Sequence, residues 1–239
     1  MVHYPARVMR ASVAALAAAA GLAAGLSACG SGGSTTGTRA TTAAQPSPPA
    51  ECRRVPQPPP KRGVRLAMPR LKLDPRRIYR AVVDTSCGSF TVTLDVRNSP
   101  RTAASFVYLA RHGFYDGLTF HRVVRGFVIQ GGDPLATGSG GPGYQVVEPP
   151  PRGTRYARGV VAMAKAESER PGTSGSQFYV VTGEDAQLPP DYALVGRVTA
   201  GQQVADAIEI VPTYQGPDPA RQDRPLTPVV IERVTIQEG

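Results

Sequence analysis

Phe120–Pro134 reads FHRVVRGFVIQGGDP, and this stretch decides the fold of the chain. Apolar residues on both sides of Gly126 predict two short strands joined by a turn. Arg122 is embedded among those apolar residues, where a cation must find partners because an isolated charge is costly to bury. The plain interpretation is an arginine that reaches the surface along its aliphatic stem or pairs with an acid.

The residues around this stretch predict many short strands and two helices. Regular structure is expected from about Ile78, with one helix that begins at Pro100 and ends before Gly113, and another over about 202–210. The chain has no internal repeats and no βαβ pattern, so an all-β barrel or sandwich is favoured. Strand-like runs are Tyr79–Asp84, Ser89–Asp95, Leu118–Val124, Gly126–Gln130, Gly159–Ala164, Gln177–Thr182, Ala193–Val198 and Val229–Gln237.

Four further motifs follow in order after Phe120–Pro134. They are Gly140–Tyr144 (GGPGY), Arg158–Ala164 (RGVVAMA), Gly172–Tyr179 (GTSGSQFY) and Gly196–Val198 (GRV). Together the five segments resemble the cyclophilin signature in order and spacing over residues 80–238. The resemblance implies an all-β fold: a closed eight-stranded antiparallel barrel capped by two helices, with a proline-binding groove outside. It also implies a peptidyl-prolyl cis-trans isomerase.

The resemblance assigns roles to individual positions. Arg122 matches the catalytic arginine. Phe127, Val128, Tyr179 and Leu188 match the wall of the proline pocket, with Met163 beneath it, and Tyr192 matches a further pocket position. Gln130, Ala164, Lys165 and Gln177 match positions that line the groove for the residues before proline.

This sequence departs from the family pattern at several of these positions. Gln187 stands where many members have tryptophan, and Tyr192 where they have histidine. Val128, Lys165 and Tyr179 replace a usual methionine, asparagine and phenylalanine. Because the tryptophan contacts cyclosporin in the family, we expect weaker inhibition by that drug. The loop 167–172 is about three residues longer than usual, and we expect it to be solvated.

The chemistry of X-Pro isomerisation agrees with this set of residues. Rotation breaks amide resonance, a barrier of about 18–20 kcal/mol, so catalysis requires a site that favours the twisted amide. A guanidinium beside the proline nitrogen can donate a hydrogen bond that strengthens only as resonance is lost. Such a site needs no nucleophile, metal or cofactor, and Arg122 is the expected catalytic group.

Other chemical signals in the sequence are weak. The Gly138–Gly143 run matches a dinucleotide-binding pattern, but it contains Pro142 and no βαβ unit surrounds it. Ser174 and Ser176 lack a serine-hydrolase context. The three histidines are scattered, which predicts no metal site, and His121 is expected to pack rather than act as a base.

The first residues predict export and lipidation. Arg7 and Arg10 precede an Ala/Leu/Val/Gly run, the pattern of a secretory signal peptide over residues 1–28. The run ends in Leu26-Ser27-Ala28-Cys29, which resembles a bacterial lipobox, so Cys29 is the expected lipidation site. Ordinary signal cleavage near Ala28 with an incidental cysteine is the alternative. The expected location is the outer face of the bacterial cell membrane.

Residues 29–77 have the composition of a linker. Ser, Thr, Gln and Pro dominate up to Pro60, and the segment to Arg77 stays basic, which predicts a disordered stalk before the isomerase domain at 78–239. Residues 30–80 hold eleven Lys/Arg against two acids, whereas residues 81–239 hold fourteen against sixteen. The positive charge that gives the whole chain its net charge of +9 is therefore expected to lie in the stalk and not in the isomerase domain. No motif predicts nucleic-acid binding.

Two cysteines remain after lipidation of Cys29. Cys52 and Cys87 form a disulfide candidate in an oxidising compartment, with two free thiols as the alternative. The absence of a C-x-x-C pattern argues against redox catalysis.

The expected function is isomerisation of X-Pro bonds in exported polypeptides by a membrane-anchored monomer. Two alternatives stay open. One is a peptide-binding or chaperone-like cyclophilin with little turnover, which the changes at Gln187 and Tyr192 favour. The other is a structural envelope lipoprotein whose basic stalk binds wall polymers.

Overall fold

The computed structural model describes residues 51–239, and regular secondary structure begins at Tyr79. The strands are β1 (Tyr79–Thr85), β2 (Gly88–Leu94), β3 (Leu118–Val124), β4 (Val128–Gly131), β5 (Val146–Val147), β6 (Val160–Met163), β7 (Thr173–Ser174), β8 (Phe178–Val181), β9 (Leu194–Ala200) and β10 (Val230–Glu238). The helices are α1 (Pro100–Arg111) and α2 (Gln202–Glu209).

Eight of these strands close into an antiparallel barrel in the order β1-β10-β3-β4-β8-β6-β9-β2. This confirms the predicted fold class, and closure leaves the barrel without a free sheet edge. The strands β5 and β7 pair as a separate two-stranded ribbon. The sequence did not predict this ribbon, because two-residue strands are too short to show a periodicity.

The barrel interior is filled by side chains that alternate along the strands and by one face of α1. Phe106 of α1 lies 5.0 Å from the ring of Tyr115 and 5.6 Å from that of Phe178, measured between ring centroids. All three residues are fully buried. Burial of one such aromatic side chain contributes roughly 1.5–3 kcal/mol, so this cluster fixes α1 on the barrel.

The N-terminus of α1 is capped from outside the helix. Ser99 occupies the N-cap position without a side-chain hydrogen bond, and Pro100 begins the helix as predicted. Glu148, next to β5, accepts hydrogen bonds from the backbone N–H groups of Arg101 at 3.1 Å and Thr102 at 2.7 Å. Its carboxylate satisfies donors that the helix leaves free and complements the positive end of the helix dipole.

Residues 51–77 form an extended segment on the barrel, which we call the strap. The backbone N–H of Lys61 donates to Pro134 O, and that of Leu66 donates to Pro142 O, both at 2.8 Å. The strap thus contacts both ends of the loop between β4 and β5. Its half-buried apolar side chains pack against the barrel core: Val64, Leu66, Leu71 and Leu73.

The prediction of a disordered stalk is therefore wrong for residues 51–77. The proline-rich, basic composition gave no periodic signal, while a few irregularly spaced leucines supply the burial that orders the segment. Cys52 and Cys87 are joined by a disulfide that ties the start of the strap to the β1–β2 turn. The boundary predicted at residue 78 lies next to the start of regular structure at Tyr79, whereas the packed body already includes the strap. The predicted signal peptide and Cys29 lie outside the described residues.

Within residues 51–239, neither helix has the length and apolar character needed to cross a membrane.

Candidate active site

Arg122 lies on β3, where the strand has an irregularity. The register between β3 and β4 shifts between Phe120 and Arg122, and Arg122 then pairs with Gln130. Such bulges turn a side chain away from its regular direction. The Arg122 side chain is 35% exposed, so the guanidinium reaches solvent from a strand whose neighbours are largely buried.

Asp223 holds this guanidinium from the loop between α2 and β10. Its Oδ2 lies 3.5 Å from Arg122 Nε, and the backbone N–H of Val123 donates to Asp223 O at 2.8 Å. Asp223 has a φ of 61°, a left-handed conformation that aspartate tolerates better than most residues. Arg122 thus pairs with an acid and still lies at the surface.

An apolar cluster lies next to Arg122, and we call it the pocket cluster. Phe127, Leu188 and Tyr192 are partly exposed and pack against buried Val128 and Tyr179. The rings of Tyr179 and Tyr192 meet edge to face with centroids 5.7 Å apart. The cluster also contains Tyr156, Val160, Ala162, Ala164, Val181, Ala186 and Leu194. A half-exposed apolar wall of this kind can hold an aliphatic ring.

Tyr156 supports this wall from below. Its hydroxyl donates to Tyr192 O at 2.7 Å and accepts from the backbone N–H of Tyr192 at 2.9 Å. Burial raises the pKa of Tyr156 to about 12, so the phenol stays protonated and keeps both hydrogen bonds at neutral pH. Sequence analysis missed Tyr156, since it lies in an irregular loop and its partner is 36 residues away.

Two glutamines extend the site on the side of β4 and β8. Gln130 Nε2 donates to Gln177 Oε1 at 3.0 Å, and Gln177 Nε2 donates to Gly140 O at 2.9 Å. Gly140 lies in the loop that buried Asp133 organises by accepting backbone N–H groups of Leu135 and Thr137. The loop therefore reaches the groove with fixed geometry.

Lys165 lies over the edge of the pocket cluster. Its Nζ is 5.5 Å from the centre of the Tyr192 ring and donates to Glu169 O at 3.1 Å. Glu169 in turn accepts from the backbone N–H of Ala166 and from Gln145. The long loop 167–172 is thus tied to the lysine through Glu169, although several of its side chains are exposed.

Met163 and His121 are both buried. Met163 is buried in the barrel core, in a different cluster from the pocket cluster. Burial lowers the pKa of His121 to about 4; Asp133 opposes this shift, whereas Arg224 and Arg122 add to it. A neutral imidazole at physiological pH agrees with a packing role.

Comparison with known proteins identifies the arrangement. Residues 80–236 match the family model described as cyclophilin type peptidyl-prolyl cis-trans isomerase/CLD. The chain belongs to the cyclophilin family. Over 174 residues it is 38% identical to the probable peptidyl-prolyl cis-trans isomerase A of Mycobacterium leprae. That alignment covers 65% of this chain and 91% of the relative. The chain is 39% identical over 176 residues to isomerase B of Streptomyces anulatus, covering 66% and 95%.

Solved structures agree with this assignment. The cyclophilin of Cryptosporidium parvum superposes with a TM-score of 0.60 at 28% identity, covering 67% of this chain and 98% of that one. A second structure of that protein, determined in the presence of the dipeptide Ala-Pro, gives a TM-score of 0.59 at 29% identity, covering 66% and 98%. This cyclophilin is a peptidyl-prolyl cis-trans isomerase.

The structure brings most of the residues selected from the sequence together. Arg122, Gln130 and Gln177 lie on neighbouring strands or strand ends, and the pocket positions share one cluster. Gln187 is exposed with a φ of 51° and lies at the rim. Sequence analysis missed Asp223, because an aspartate in a Pro/Gly/Gln-rich loop 101 residues after Arg122 carries no local signal. The described part of the chain has no grouping of His, Cys, Asp or Glu suited to a metal ion.

Proposed function

We propose that this cyclophilin catalyses X-Pro rotation in exported polypeptides at the outer face of the bacterial membrane, assisting their folding. The observation that carries the catalytic part is Arg122, held by Asp223 beside the pocket cluster. The role in export is supported by the sequence pattern at Cys29 and by the Cys52–Cys87 disulfide.

The pocket cluster holds the proline ring. Phe127, Leu188 and Tyr192 offer partly exposed apolar surface, and Tyr156 fixes the backbone of Tyr192. Contacts to the ring are the same in the cis and trans forms, so they bind substrate without selecting the twisted amide. They fix the X-Pro bond against Arg122, which supplies the selective interaction.

Arg122 stabilises the twisted amide. As the C–N bond rotates, the proline nitrogen becomes pyramidal and gains a lone pair, which accepts a hydrogen bond from the guanidinium. This bond is absent in either planar form, so it lowers the barrier and not merely the energy of the bound substrate. Arginine remains charged at every physiological pH, and its ion pair with Asp223 limits its motion.

Two features support action outside the cytoplasm. Leu26-Ser27-Ala28-Cys29 follows an apolar run, and acylation of that cysteine with more than one chain gives stable anchoring. The disulfide between Cys52 and Cys87 is typical of oxidising compartments.

The catalytic proposal is tested by cis-trans exchange of a capped Ala-Pro peptide at low temperature, where the uncatalysed reaction takes minutes. Residues 51–239 should accelerate exchange, and Arg122→Ala should reduce kcat/KM by about 100-fold or more. Arg233→Ala, on the exposed side of β10, is the matched control and should leave the rate unchanged. Peptide binding without acceleration would favour the alternative of a binding module with little turnover.

The location is tested in cells of a bacterium that exports the full chain. Incorporation of labelled palmitate and recovery in the membrane fraction are both expected for the unchanged chain, and both should be lost in Cys29→Ala. Membrane recovery of Cys29→Ala with full label would contradict lipidation at this residue.

A further inference from the structure

The strap concentrates positive charge on one segment of the packed body. Residues 51–77 hold nine Lys/Arg against two acids, whereas residues 78–239 hold fifteen against sixteen. Three strap arginines are neutralised by ion pairs: Arg53 with Glu232, Arg76 with Asp74 and Arg77 with Glu238. Five further cations are exposed and belong to none of the ion pairs found within residues 51–239: Arg54, Arg62, Arg65, Arg70 and Lys72.

Exposure alternates along the second half of the strap. Leu71 and Leu73 are half-buried and pack against the barrel core. Met68, Arg70 and Lys72 alternate with half-buried residues and are exposed, and Met68 keeps 55% of its surface accessible. A period of two in exposure places one apolar side chain and two cations together on the solvent side of the strap. We call the exposed side chains of this segment the basic row: Arg62, Arg65, Met68, Arg70 and Lys72.

The backbone that carries the basic row is held against the barrel. The N–H of Leu66 donates to Pro142 O at 2.8 Å. Arg65 packs against Gly143 so closely that its Cα, Cβ and Cγ lie 3.3 Å from where a side chain at Gly143 would begin. Because the strap is already ordered, a partner that binds the basic row requires little further loss of backbone entropy.

Cations around an exposed apolar side chain suit the surface of an anionic membrane. Negative head groups attract each Lys/Arg near the surface, and an apolar side chain such as Met68 can enter the boundary between head groups and acyl chains. An anionic polymer would attract the cations equally but offers no hydrocarbon to Met68. The apolar member of the row therefore favours a membrane over a polymer.

The position of the strap in the chain favours the same partner. Among the described residues, the strap is the segment nearest in sequence to Cys29, the expected lipidation site, and residues 30–50 carry one arginine and no acid. An acyl group at Cys29 would keep the strap at a high local concentration near the membrane, so a contact of modest affinity would be occupied.

We propose that the basic row is a docking surface for anionic phospholipid membranes. It gives the folded body a membrane contact of its own, in addition to the acyl anchor of the proposed function. The inference extends that proposed location, and its test uses a chain without an acyl group, so that failure of lipidation and failure of docking are distinguishable.

The experiment uses residues 29–239 with Cys29→Ser, which cannot be acylated at that position. Co-sedimentation measures its affinity for vesicles of phosphatidylcholine mixed with phosphatidylglycerol and for vesicles of phosphatidylcholine alone. The affinity for the anionic vesicles should be at least about 10-fold higher and should fall as salt is added. Arg70→Gln combined with Lys72→Gln should lower it by about 10- to 25-fold, because each cation near the surface contributes about fivefold. Met68→Ser should lower it by about 3-fold.

The matched control is Arg152→Gln combined with Arg221→Gln, which removes two exposed cations outside the strap. This double variant should bind like the unchanged chain, and equal melting temperatures of all variants would show that each is folded. Equal affinity for both kinds of vesicle, or equal losses in the two double variants, would overturn the proposal. Vesicle binding that Met68→Ser leaves unchanged, together with equally tight binding to soluble polyphosphate, would overturn the membrane in favour of an anionic polymer.

Discussion

Arg122 is positioned by a residue that the sequence does not place near it. Asp223 approaches Nε, while its backbone carbonyl accepts a hydrogen bond from Val123. One loop residue thus fixes both the side chain and the strand of the catalytic group. We regard Asp223 as a positioning residue, because it acts on substrate only through Arg122.

Asp223→Asn should lower kcat by about 3- to 10-fold and change KM much less, since the loss of the ion pair loosens Arg122 without removing the proline pocket. Exchange kinetics over a range of peptide concentrations separate the two constants. Asp218→Asn, exposed in the same loop, is the control and should behave like the unchanged protein. An unchanged kcat in Asp223→Asn would show that Arg122 is positioned without it.

A second prediction at the scale of single residues concerns Gln187 and inhibition by cyclosporin. It is exposed at the rim of the pocket, where many family members have tryptophan, and it lacks the large ring that such a residue would offer to a ligand. Gln187→Trp should lower the cyclosporin concentration needed for half inhibition by about 10-fold or more. Titration of the exchange rate measures this value. Near-stoichiometric inhibition of the unchanged protein would contradict the prediction.

Residue patterns predicted some of the site and missed the rest for a physical reason. Arg122 and Gln130 lie within one continuous motif, whereas Tyr156 and Asp223 act across long separations from irregular loops. Local patterns report alternation and turns, which describe strands well. They contain no information on which distant loop packs against a given strand.

At the scale of elements, the strap differs most from expectation. Its polar contacts lie near both ends of the loop between β4 and β5, and Lys61 also donates from Nζ to the carbonyl of Phe114, just after α1. A cation there complements the negative end of the helix dipole. Burial lowers the pKa of Lys61, and Asp116 partly opposes that shift. The strands of the barrel, by contrast, were predicted within a few residues because their side chains alternate regularly.

Removal of the strap should destabilise the domain. A fragment of residues 78–239 lacks four half-buried apolar side chains, each contributing about 1 kcal/mol, and it also loses the disulfide. Its melting temperature should lie at least about 8 °C below that of residues 51–239. Calorimetry of the two fragments under the same conditions measures the difference. Equal melting temperatures would show that the strap contributes nothing to stability.

At the scale of the whole molecule, the strap changes where the positive charge lies. Residues 51–77 carry nine Lys/Arg and two acids, and they belong to the packed body. The interpretation that the basic excess belongs to a free stalk is therefore wrong for most of these charges. The folded domain itself presents them, so its approach to anionic surfaces should weaken as salt increases.

The disulfide affects the stability of this whole body. Cys52 and Cys87 are 35 residues apart, and on the chain-entropy model a loop of this length stabilises by roughly 3–4 kcal/mol. The variant with Cys52→Ser and Cys87→Ser should unfold about 6–16 °C lower than the oxidised protein. A reducing agent should shift the unchanged protein by a similar amount and leave the double variant unaffected. Insensitivity of the unchanged protein to reduction would contradict this.

The same cross-link also determines how the molecule bears mechanical load. A force applied at the N-terminus enters the body at Cys52 and passes through the sulfur bridge directly to Cys87. Residues 53–86 include most of the strap and all of β1. They bear no force while the disulfide is intact, because the disulfide transmits the force past them. After reduction, forced unfolding of the protein should gain about 120 Å of additional contour length, the extended span of that segment, which force spectroscopy can resolve. A chain pulled at its N-terminal end would thus keep the strap packed against the barrel and the loop between β4 and β5.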